Sequence, residues 1–293
     1  MKPPKTTAEG LELRTDDHAA LSCILHLPEG RAIGDVVLVH GAFSRQGIFT
    51  KAGGLAEWFR LKGHRVLTFD LRGHGASGPG AGARDWGYDD LVLRDLPAVT
   101  SSLRARRAKG PLFVVGHSLG GHVALAAAIA GAIEVDGIVT VGTAMWGEAS
   151  SPPLARRVAE RLVVRAFSAA TEQRGFFPAR ALRLGSDDEA VGYVRDLRRM
   201  VRAGWRSRDG AHDYGAGRGA LRIPVYAIAS AGDRFFAPPS VVRAFHAPFP
   251  NHRVDVVERS DDGTAPPDHA DLVRSAKARA AFDRALRFLR GPG

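Results

Sequence analysis

Short apolar runs alternate along the chain with longer stretches whose apolar residues recur at helical spacing. The runs predict eight strands, at residues 11–15, 20–27, 35–41, 65–70, 112–118, 137–144, 223–230 and 253–259. Helical spacing predicts helices near 51–62, 89–107, 119–131, 238–247 and 271–290. The first two strands flank a polar turn and predict an antiparallel hairpin, whereas the later ones are almost continuously apolar, as buried parallel strands are. The pattern therefore predicts an α/β fold with a mostly parallel, eight-stranded, doubly wound sheet.

One interval, residues 145–220, departs from this alternation. Two Arg-rich amphipathic segments, 154–170 and 187–205, occupy a place where one crossover helix would be enough. The periodic apolar positions of the second segment are Val194, Leu197, Val201 and Trp205. They predict an inserted helical cap over the carboxyl edge of the sheet, although plain packing within a helical subdomain explains any single one of them. We expect a core of residues 1–144 and 221–293, with the cap inserted between the sixth and seventh strands.

Length and composition favour a globular protein with one large core. The chain has 293 residues, of which 45% are hydrophobic. The first ten residues lack the apolar segment of a signal peptide, and the apolar stretch within 123–133 is too short to span a bilayer. We therefore expect a cytoplasmic protein without a transmembrane segment. The single cysteine, Cys23, excludes an internal disulfide and a multi-cysteine metal site, and its strand context predicts a core residue.

The formal net charge of +10 raises the question of an anionic partner. Basic residues are scattered along the chain, and no nucleic-acid-binding motif is present, so nucleic acid is not expected. Residues 145–220 hold fourteen arginines and nine acidic residues, a net of +5 (14 − 9). These arginines either give a weak attraction to anionic surfaces or form the solvent-exposed faces of amphipathic helices. The second interpretation is favoured because they fall mostly between the apolar positions, and it predicts that the apolar faces of both helices, with Phe176, Phe177 and Trp205, roof an apolar acyl pocket.

The stretch Gly116-His117-Ser118-Leu119-Gly120 follows a predicted strand and begins a predicted helix. This is the context of a nucleophile elbow with the pattern G-x-S-x-G. The glycines permit a turn sharp enough to hold the Ser118 hydroxyl off the end of the sheet, at the positive end of the next helix. A serine N-cap in a glycine-rich turn is the simpler alternative, but the strand-to-helix context favours a nucleophile.

Four motifs together resemble the α/β-hydrolase superfamily. They are LVHGAFS (38–44), FDLRGHGASG (69–78), GHSLGG (116–121) and ASAGDRFFAPPS (229–240). The pattern is most similar to bacterial predicted hydrolases related to monoacylglycerol lipases and carboxylesterases. Serine at position 118 argues against haloalkane dehalogenases and epoxide hydrolases, whose elbow carries aspartate. The resemblance implies an α/β-hydrolase fold and a serine, acid and histidine in that chain order.

The resemblance implies Asp233 as the acid, because it follows the predicted strand 223–230. Asp136 and Asp255 lie at or within strands and are weaker candidates. The implied base is His269, which follows the last strand and a loop, immediately before the terminal helix. The other histidines weighed here fit less well by position: His40, His64, His74, His117 and His252. A surface histidine at a helix start remains the alternative for His269.

The resemblance also implies that the backbone amides of Ala42 and Leu119 form an oxyanion hole. Expected substrate contacts are Phe43, His117 and Trp205, although Phe43 is equally compatible with loop packing. Asp70, Arg72 and His74 are expected to brace the turn after the fourth strand. No cluster has metal-ligand spacing and no glycine-rich loop has a dinucleotide-binding context, so no cofactor or metal is expected.

The sequence therefore predicts a serine hydrolase, most simply an esterase or lipase-like enzyme, that uses water to cleave a carboxylic ester or thioester-like bond of a small apolar acyl substrate. Two alternatives stay open: an acyltransferase with the same triad, and a catalytically silent ligand-binding protein of the same fold. The sequence leaves the oligomeric state open.

Overall fold

A computed structural model of the protein describes residues 8–106, 110–146 and 154–291. Its strands are β1 (Ala8–Arg14), β2 (Ala20–His26), β3 (Asp35–Val39), β4 (Arg65–Phe69), β5 (Leu112–His117), β6 (Gly137–Val141), β7 (Phe176–Phe177), β8 (Glu189–Ala190), β9 (Val225–Ser230) and β10 (His252–Val257). Eight strands form one sheet in the order β1-β2-β4-β3-β5-β6-β9-β10, and β7 pairs with β8 separately. Only the pairs β1–β2 and β2–β4 of the large sheet are antiparallel among these described residues. The predicted eight-stranded, mostly parallel sheet and its N-terminal hairpin are confirmed.

The helices follow the strands at the expected places. They are α1 (Gly47–Thr50), α2 (Leu55–Leu61), α3 (Tyr88–Asp90), α4 (Leu96–Ala105), α5 (Leu119–Ile129), α6 (Leu154–Arg174), α7 (Val191–Ala203), α8 (Tyr214–Gly217), α9 (Pro239–His246), α10 (Asp271–Arg274) and α11 (Arg279–Arg290). A π-helical turn, Leu91–Asp95, joins α3 to α4. The single helices predicted near 51–62 and 271–290 are wrong in extent. Gly53 has φ 69°, which is not a helical conformation, so α2 begins only at Leu55. Ser275 has an extended backbone, which separates α10 from α11.

The sheet lies between two apolar layers. Strands β3, β5, β6 and β9 are buried along their whole length, as the continuous apolar runs predicted. Helix α5 packs on one face, and α2 and α11 pack on the other. Cys23 is buried in β2, as expected. Because β3, β5 and β9 run parallel, their carboxyl ends share one edge of the sheet, and the loops that follow them converge there.

Residues between β6 and β9 form the predicted helical insertion, although 147–153 lie outside the described residues. Its long helices are α6 and α7, which pack against each other beside the β7–β8 ladder. Val194 and Val201 are buried on α7, whereas Leu197 faces the cavity described below. Gly204, with φ 91°, ends α7, so Trp205 follows the helix and does not lie on it. The boundary between core and cap stays a prediction.

Helix α6 differs from the expected amphipathic roof. Its buried positions are Glu160, Val164, Ser168 and Thr171. Leu154, Val158 and Leu162 recur every four residues and are 66%, 47% and 56% exposed. The prediction that the apolar face of α6 turns inward is therefore wrong over its first half, where Glu160 is buried instead and pairs with Arg156 at 2.8 Å.

Candidate active site

The turn between β5 and α5 holds Ser118 in a strained backbone conformation. Ser118 has φ 52° and ψ −115°, a region that residues other than glycine rarely occupy. A Cβ atom at Gly116 would lie 2.4 Å from the backbone of Gly120, and one at Gly120 would lie 2.2 Å from the Val39 carbonyl oxygen. Both positions therefore require glycine. Strain of this kind persists where the surrounding structure enforces it, typically at functional sites.

Hydrogen bonds fix the position of Ser118. Its N–H donates to the Val141 carbonyl at 2.8 Å, and its carbonyl accepts from the Gly121 N–H at 3.0 Å. The Thr143 hydroxyl donates to the same carbonyl at 3.1 Å. Ser118 thus precedes the first residue of α5, where the helix dipole favours developing negative charge.

Asp233 and His269 form a close pair beside this turn. Nδ1 of His269 lies 2.5 Å from Oδ2 of Asp233, and the side chains of both residues are largely buried. Asp233 lies in the loop after β9, and its Oδ1 accepts from the Phe236 N–H at 3.0 Å. Burial alone would raise the pKa of Asp233, but the bond and charge of His269 and the amides of Phe236 and Ala237 hold that pKa below its usual value. Asp233 is therefore an ionised partner for His269.

The loop before α10 orients His269. Gly142, with φ 58°, leaves space for the imidazole: a Cβ atom there would lie 3.0 Å from Nδ1 and Cε1 of His269. The Phe236 ring lies on another side, at 4.8 Å between ring centroids. The Asp233 bond at Nδ1 leaves Nε2 as the nitrogen available to a reacting group.

His117 supports His269 from behind. Its Nε2 lies 3.0 Å from the His269 carbonyl oxygen, and the two rings lie 4.7 Å apart. Burial lowers the pKa of His117 to about 3, so its ring is neutral and its Nε2–H donates to that carbonyl. His117 is only 4% exposed, and it lines the cavity that is described below. The geometry gives it a positioning contact with His269, whereas a substrate contact was expected.

The loop after β3 contains Ala42, which was predicted to provide an oxyanion amide, and its neighbour Phe43. Phe43 has φ 61°, its N–H donates to Oε1 of Glu189 at 2.7 Å, and its carbonyl accepts from the Ser186 N–H at 2.7 Å. The Phe43 amide is thus occupied, whereas no described residue accepts from the Ala42 N–H. Leu119 is the first residue of α5, where amides have no intrahelical acceptor. The amides of Ala42 and Leu119 thus have no acceptor among the described residues, and their role at an oxyanion stays a prediction.

Glu189 is a buried residue of the cap that the sequence analysis did not identify. Its Oε1 also lies 3.2 Å from Nε2 of His74, and both side chains are fully buried. Burial opposes a charge on His74, but the charge and hydrogen bond of Glu189 raise its pKa to about 9. His74 and Glu189 therefore form an ion pair at neutral pH. The same cap segment is held at Asp187, which accepts from Arg45 at 2.8 Å and from the Gly75 N–H at 2.9 Å.

A cavity of about 650 Å³ lies between the carboxyl edge of the sheet and the cap. The eight residues predicted as triad members, oxyanion-hole amides or substrate contacts all line it: Ala42, Phe43, His117, Ser118, Leu119, Trp205, Asp233 and His269. Its cap side is mostly apolar and aromatic, with Phe167, Leu197 and Met200. Every arginine between 145 and 220 lies outside this lining, in agreement with the interpretation that they form wet helix faces.

Some expectations about the cavity are wrong, and some of its residues were missed. Phe176 and Phe177 do not line it. Phe177 packs against Phe167, which does line the cavity, with ring centroids 4.3 Å apart. The two-residue strand β7 directs Phe177 into the core behind Phe167. Tyr88 and Tyr193 line the cavity but carried no motif signal. Tyr193 lies one position before Val194 on α7 and was predictable only with the helix phase known.

In the ranges that the structure describes, no three His, Cys, Asp or Glu side chains are grouped as metal ligands would be. No helix in those ranges combines the length and apolar character needed to cross a bilayer.

A limited part of the chain is similar in sequence to a monoglyceride lipase of Saccharomyces cerevisiae. The two are 40% identical over 97 residues, which are 31% of this chain and 29% of the yeast protein. The match thus spans less than a third of the length of the yeast protein.

Solved structures share the whole fold at low sequence identity. An esterase from Exiguobacterium antarcticum superposes with a TM-score of 0.67 and 16% identity, over 97% of this chain and 100% of the esterase. A hydrolase from Pseudomonas aeruginosa superposes with a TM-score of 0.57 and 23% identity, over 97% and 99% of the two chains. These likenesses establish the α/β-hydrolase fold.

The family comparison covers most of the chain. Residues 30–254 match the family model Hydrolase_4, described as serine aminopeptidase, S33. This stretch runs from the strand that leads to Ala42 through the loop of Asp233. The predictions of an α/β hydrolase and of a hydrolytic enzyme related to esterases and monoglyceride lipases are confirmed. The chain belongs to the Hydrolase_4 family of α/β hydrolases, the serine aminopeptidase S33 family.

Proposed function

We propose that the protein hydrolyses carboxylic esters of small apolar acids through a Ser118–His269–Asp233 triad and an acyl-enzyme. The observation that carries this proposal is the buried pair of Asp233 and His269, 2.5 Å apart, lining one cavity with the strained Ser118. Such a set provides a nucleophile, a base and the acid that orients the base.

In the first half-reaction, Nε2 of His269 accepts the proton of the Ser118 hydroxyl as Oγ attacks the ester carbonyl carbon. Asp233 keeps the imidazole in the required tautomer and balances its positive charge. The carbonyl oxygen becomes an oxyanion that accepts from the Ala42 and Leu119 N–H groups, each worth about 3 to 4 kcal/mol. As the ester bond breaks, His269 returns the proton to the leaving alcohol.

In the second half-reaction, water replaces the alcohol. Nε2 of His269 takes a proton from this water while its oxygen attacks the acyl carbon. The second oxyanion uses the same two amides. Collapse breaks the bond to Ser118 Oγ, returns the proton to that oxygen and releases the carboxylic acid, so that the enzyme is regenerated.

The apolar lining near the cap supports an acyl chain as the group that enters the cavity. Phe43, Phe167, Leu197 and Met200 offer van der Waals contact and no charge. An aminopeptidase substrate, in contrast, carries a free α-amino group. Among the described residues, the acidic side chains that line the cavity are Asp233, which is engaged by His269, and the exposed Asp268, so no described residue of the cap side offers a carboxylate to such a cation.

A fluorophosphonate probe and a p-nitrophenyl ester test this proposal together. We expect stoichiometric labelling on Ser118 and turnover of p-nitrophenyl octanoate, with both lost in Ser118→Ala. Product analysis with an added alcohol identifies acyl transfer, since a new ester would then replace the free acid. Absence of labelling in a folded wild-type protein would reject the triad and favour a ligand-binding role.

A further inference from the structure

One polar residue in the cavity has no part in the mechanism above. His122 lies four positions after Ser118 on α5, so the two share one face of the chain, about 6 Å apart along the helix axis. Its Nε2 lies 2.8 Å from the Ala144 carbonyl oxygen. Because a carbonyl oxygen only accepts, Nε2 carries the hydrogen and Nδ1 is left as an unprotonated acceptor.

Nδ1 of His122 is not sealed in the core, because the side chain lines the cavity and is only partly buried. No donor among the described residues reaches it. It is not among the side-chain nitrogen and oxygen atoms that are sealed without a partner, and His122 lines the cavity. Burial, assisted by the charge of Arg218, lowers the pKa of His122 to about 4 against the effect of the Ala144 carbonyl. The ring is therefore neutral at neutral pH and keeps its free acceptor.

His122 and Tyr88 both contact the indole of Trp205, and Tyr88 provides a free donor. The His122 ring packs edge-on against Trp205, with centroids 5.4 Å apart, and Trp205 Nε1–H donates to the Tyr88 hydroxyl oxygen at 2.9 Å. Because that oxygen already accepts, the hydroxyl hydrogen of Tyr88 needs an acceptor of its own. No described residue provides one, and Tyr88 also lines the cavity.

The surroundings of this acceptor and donor indicate which ligand group they can bind. His122 and Tyr88 belong to the core, and the cap side of the same cavity is lined by the apolar side chains of Leu197 and Met200. A polar group left unpaired in such a place costs about 1 to 3 kcal/mol, which a ligand with matching chemistry recovers. A keto or ether oxygen can only accept and leaves Nδ1 unpaired. A hydroxyl group donates to one partner and accepts from the other.

We propose that His122 and Tyr88 form a subsite for a hydroxyl group on the acyl chain, so that the preferred substrates are esters of hydroxy acids. The hydroxyl donates to Nδ1 of His122 and accepts from the Tyr88 hydroxyl. This inference rests on the ester hydrolysis proposed above. The helical offset between Ser118 and His122 puts the hydroxyl several carbon atoms from the scissile carbonyl.

Paired substrates test the subsite. We expect kcat/KM for the best of a series of p-nitrophenyl hydroxyoctanoates, with the hydroxyl moved along the chain, to exceed that for p-nitrophenyl octanoate by about tenfold. In His122→Phe, which keeps an aromatic ring but no acceptor, this ratio should fall to about one. His212→Phe is the matched control, because His212 stacks on Tyr214 outside the cavity lining, and it should keep the wild-type ratio.

Two further measurements separate the subsite from folding defects and from the proposed function. His122→Gln offers an N–H to Ala144 and an oxygen to the substrate, and it should restore part of the preference. In Ser118→Ala, calorimetry should find the hydroxyoctanoate ester bound about tenfold more tightly than the octanoate ester. This binding preference without wild-type turnover would reject ester hydrolysis and keep the subsite. Equal binding of the two esters, or a preference that survives in His122→Phe, would overturn the subsite.

Discussion

The backbone N–H of Phe43 donates to the buried carboxylate of Glu189 at 2.7 Å, which joins the loop of the proposed oxyanion hole directly to the cap. The same oxygen of Glu189 contacts protonated His74, so a single carboxylate serves two loops of the core.

Replacing Glu189 tests this junction. Glu189→Ala leaves the His74 charge buried and unpaired and releases the Phe43 amide, so we expect a loss of about 3 to 5 kcal/mol in unfolding free energy and a lower kcat. Glu189→Gln keeps an acceptor for Phe43 and should lose less of both. Urea unfolding and steady-state kinetics measure the two effects. Asp188→Asn, one residue away and only partly buried, is the control, and an equal loss there would contradict a specific role for Glu189.

The ion pair also predicts a pH dependence of stability. The pKa of His74 is raised from 6.5 to about 9, so the folded protein holds a proton that the unfolded chain releases between these values. The contribution of this pair is complete below pH 6.5 and is lost as the pH rises through about 9. Unfolding free energies measured from pH 6 to 10 should fall over this window in the wild type. A slope of the same size in Glu189→Gln would assign it to other groups.

Loss of the base should abolish turnover. His269→Ala removes the group that takes the proton from Ser118, and we expect kcat for p-nitrophenyl octanoate to fall by about 10⁴-fold or more, with the fold intact. His252→Ala is the control, because His252 lies on β10, where its Nδ1 contacts the Phe249 carbonyl. Activity that survives in His269→Ala and disappears in the control would overturn the assignment.

The acid has a matched control on the opposite edge of the sheet. Asp233→Asn disturbs the tautomer and charge of His269 and should lower kcat by about 10³- to 10⁴-fold with little change in unfolding free energy. Asp136 instead accepts from the Leu112 N–H at the start of β5, so Asp136→Asn should leave kcat near the wild-type value. Near-normal kcat in Asp233→Asn would move the acid role to another carboxylate.

The charge of the cap should not control catalysis. Because its arginines lie outside the cavity lining, kcat/KM for a neutral octanoate ester should be nearly independent of ionic strength. Rates measured from low to moderate salt check this. A steep fall, or a strong preference for anionic esters, would mean that cationic groups act on the substrate.

The strands were predictable because each parallel strand is a continuous apolar run between polar turns, and the elbow because glycines flank Ser118 in a strand-to-helix context. The proposed roles of Asp233 and His269 come from their positions after β9 and β10 together with the family's chain order, and they stay predictions. All of these signals are local in the sequence. The cytoplasmic location and the weak attraction to anionic surfaces stay predictions.

The cap was harder to predict because its phase depends on tertiary contacts. The Arg-rich amphipathic pattern of α6 and α7 predicted that both segments are helical. The periodicity did not reveal that Leu154 and Leu162 are exposed while Glu160 is buried. Glu189 looked like one acid in an acidic run, and its role depends on loops more than one hundred positions away in the chain. His122 followed the elbow directly but matched no motif, so only the cavity revealed its free nitrogen.

The attachment of residues 185–189 to the core limits how substrate reaches Ser118. Lifting this segment away would break the bonds at both the N–H and the carbonyl of Phe43, and the oxyanion loop would lose its shape at the moment of access. This side of the cap is therefore expected to stay attached to the core during substrate binding. Access past Phe235 and Phe236, which line the cavity and are 55% and 39% exposed, would leave both Phe43 bonds intact.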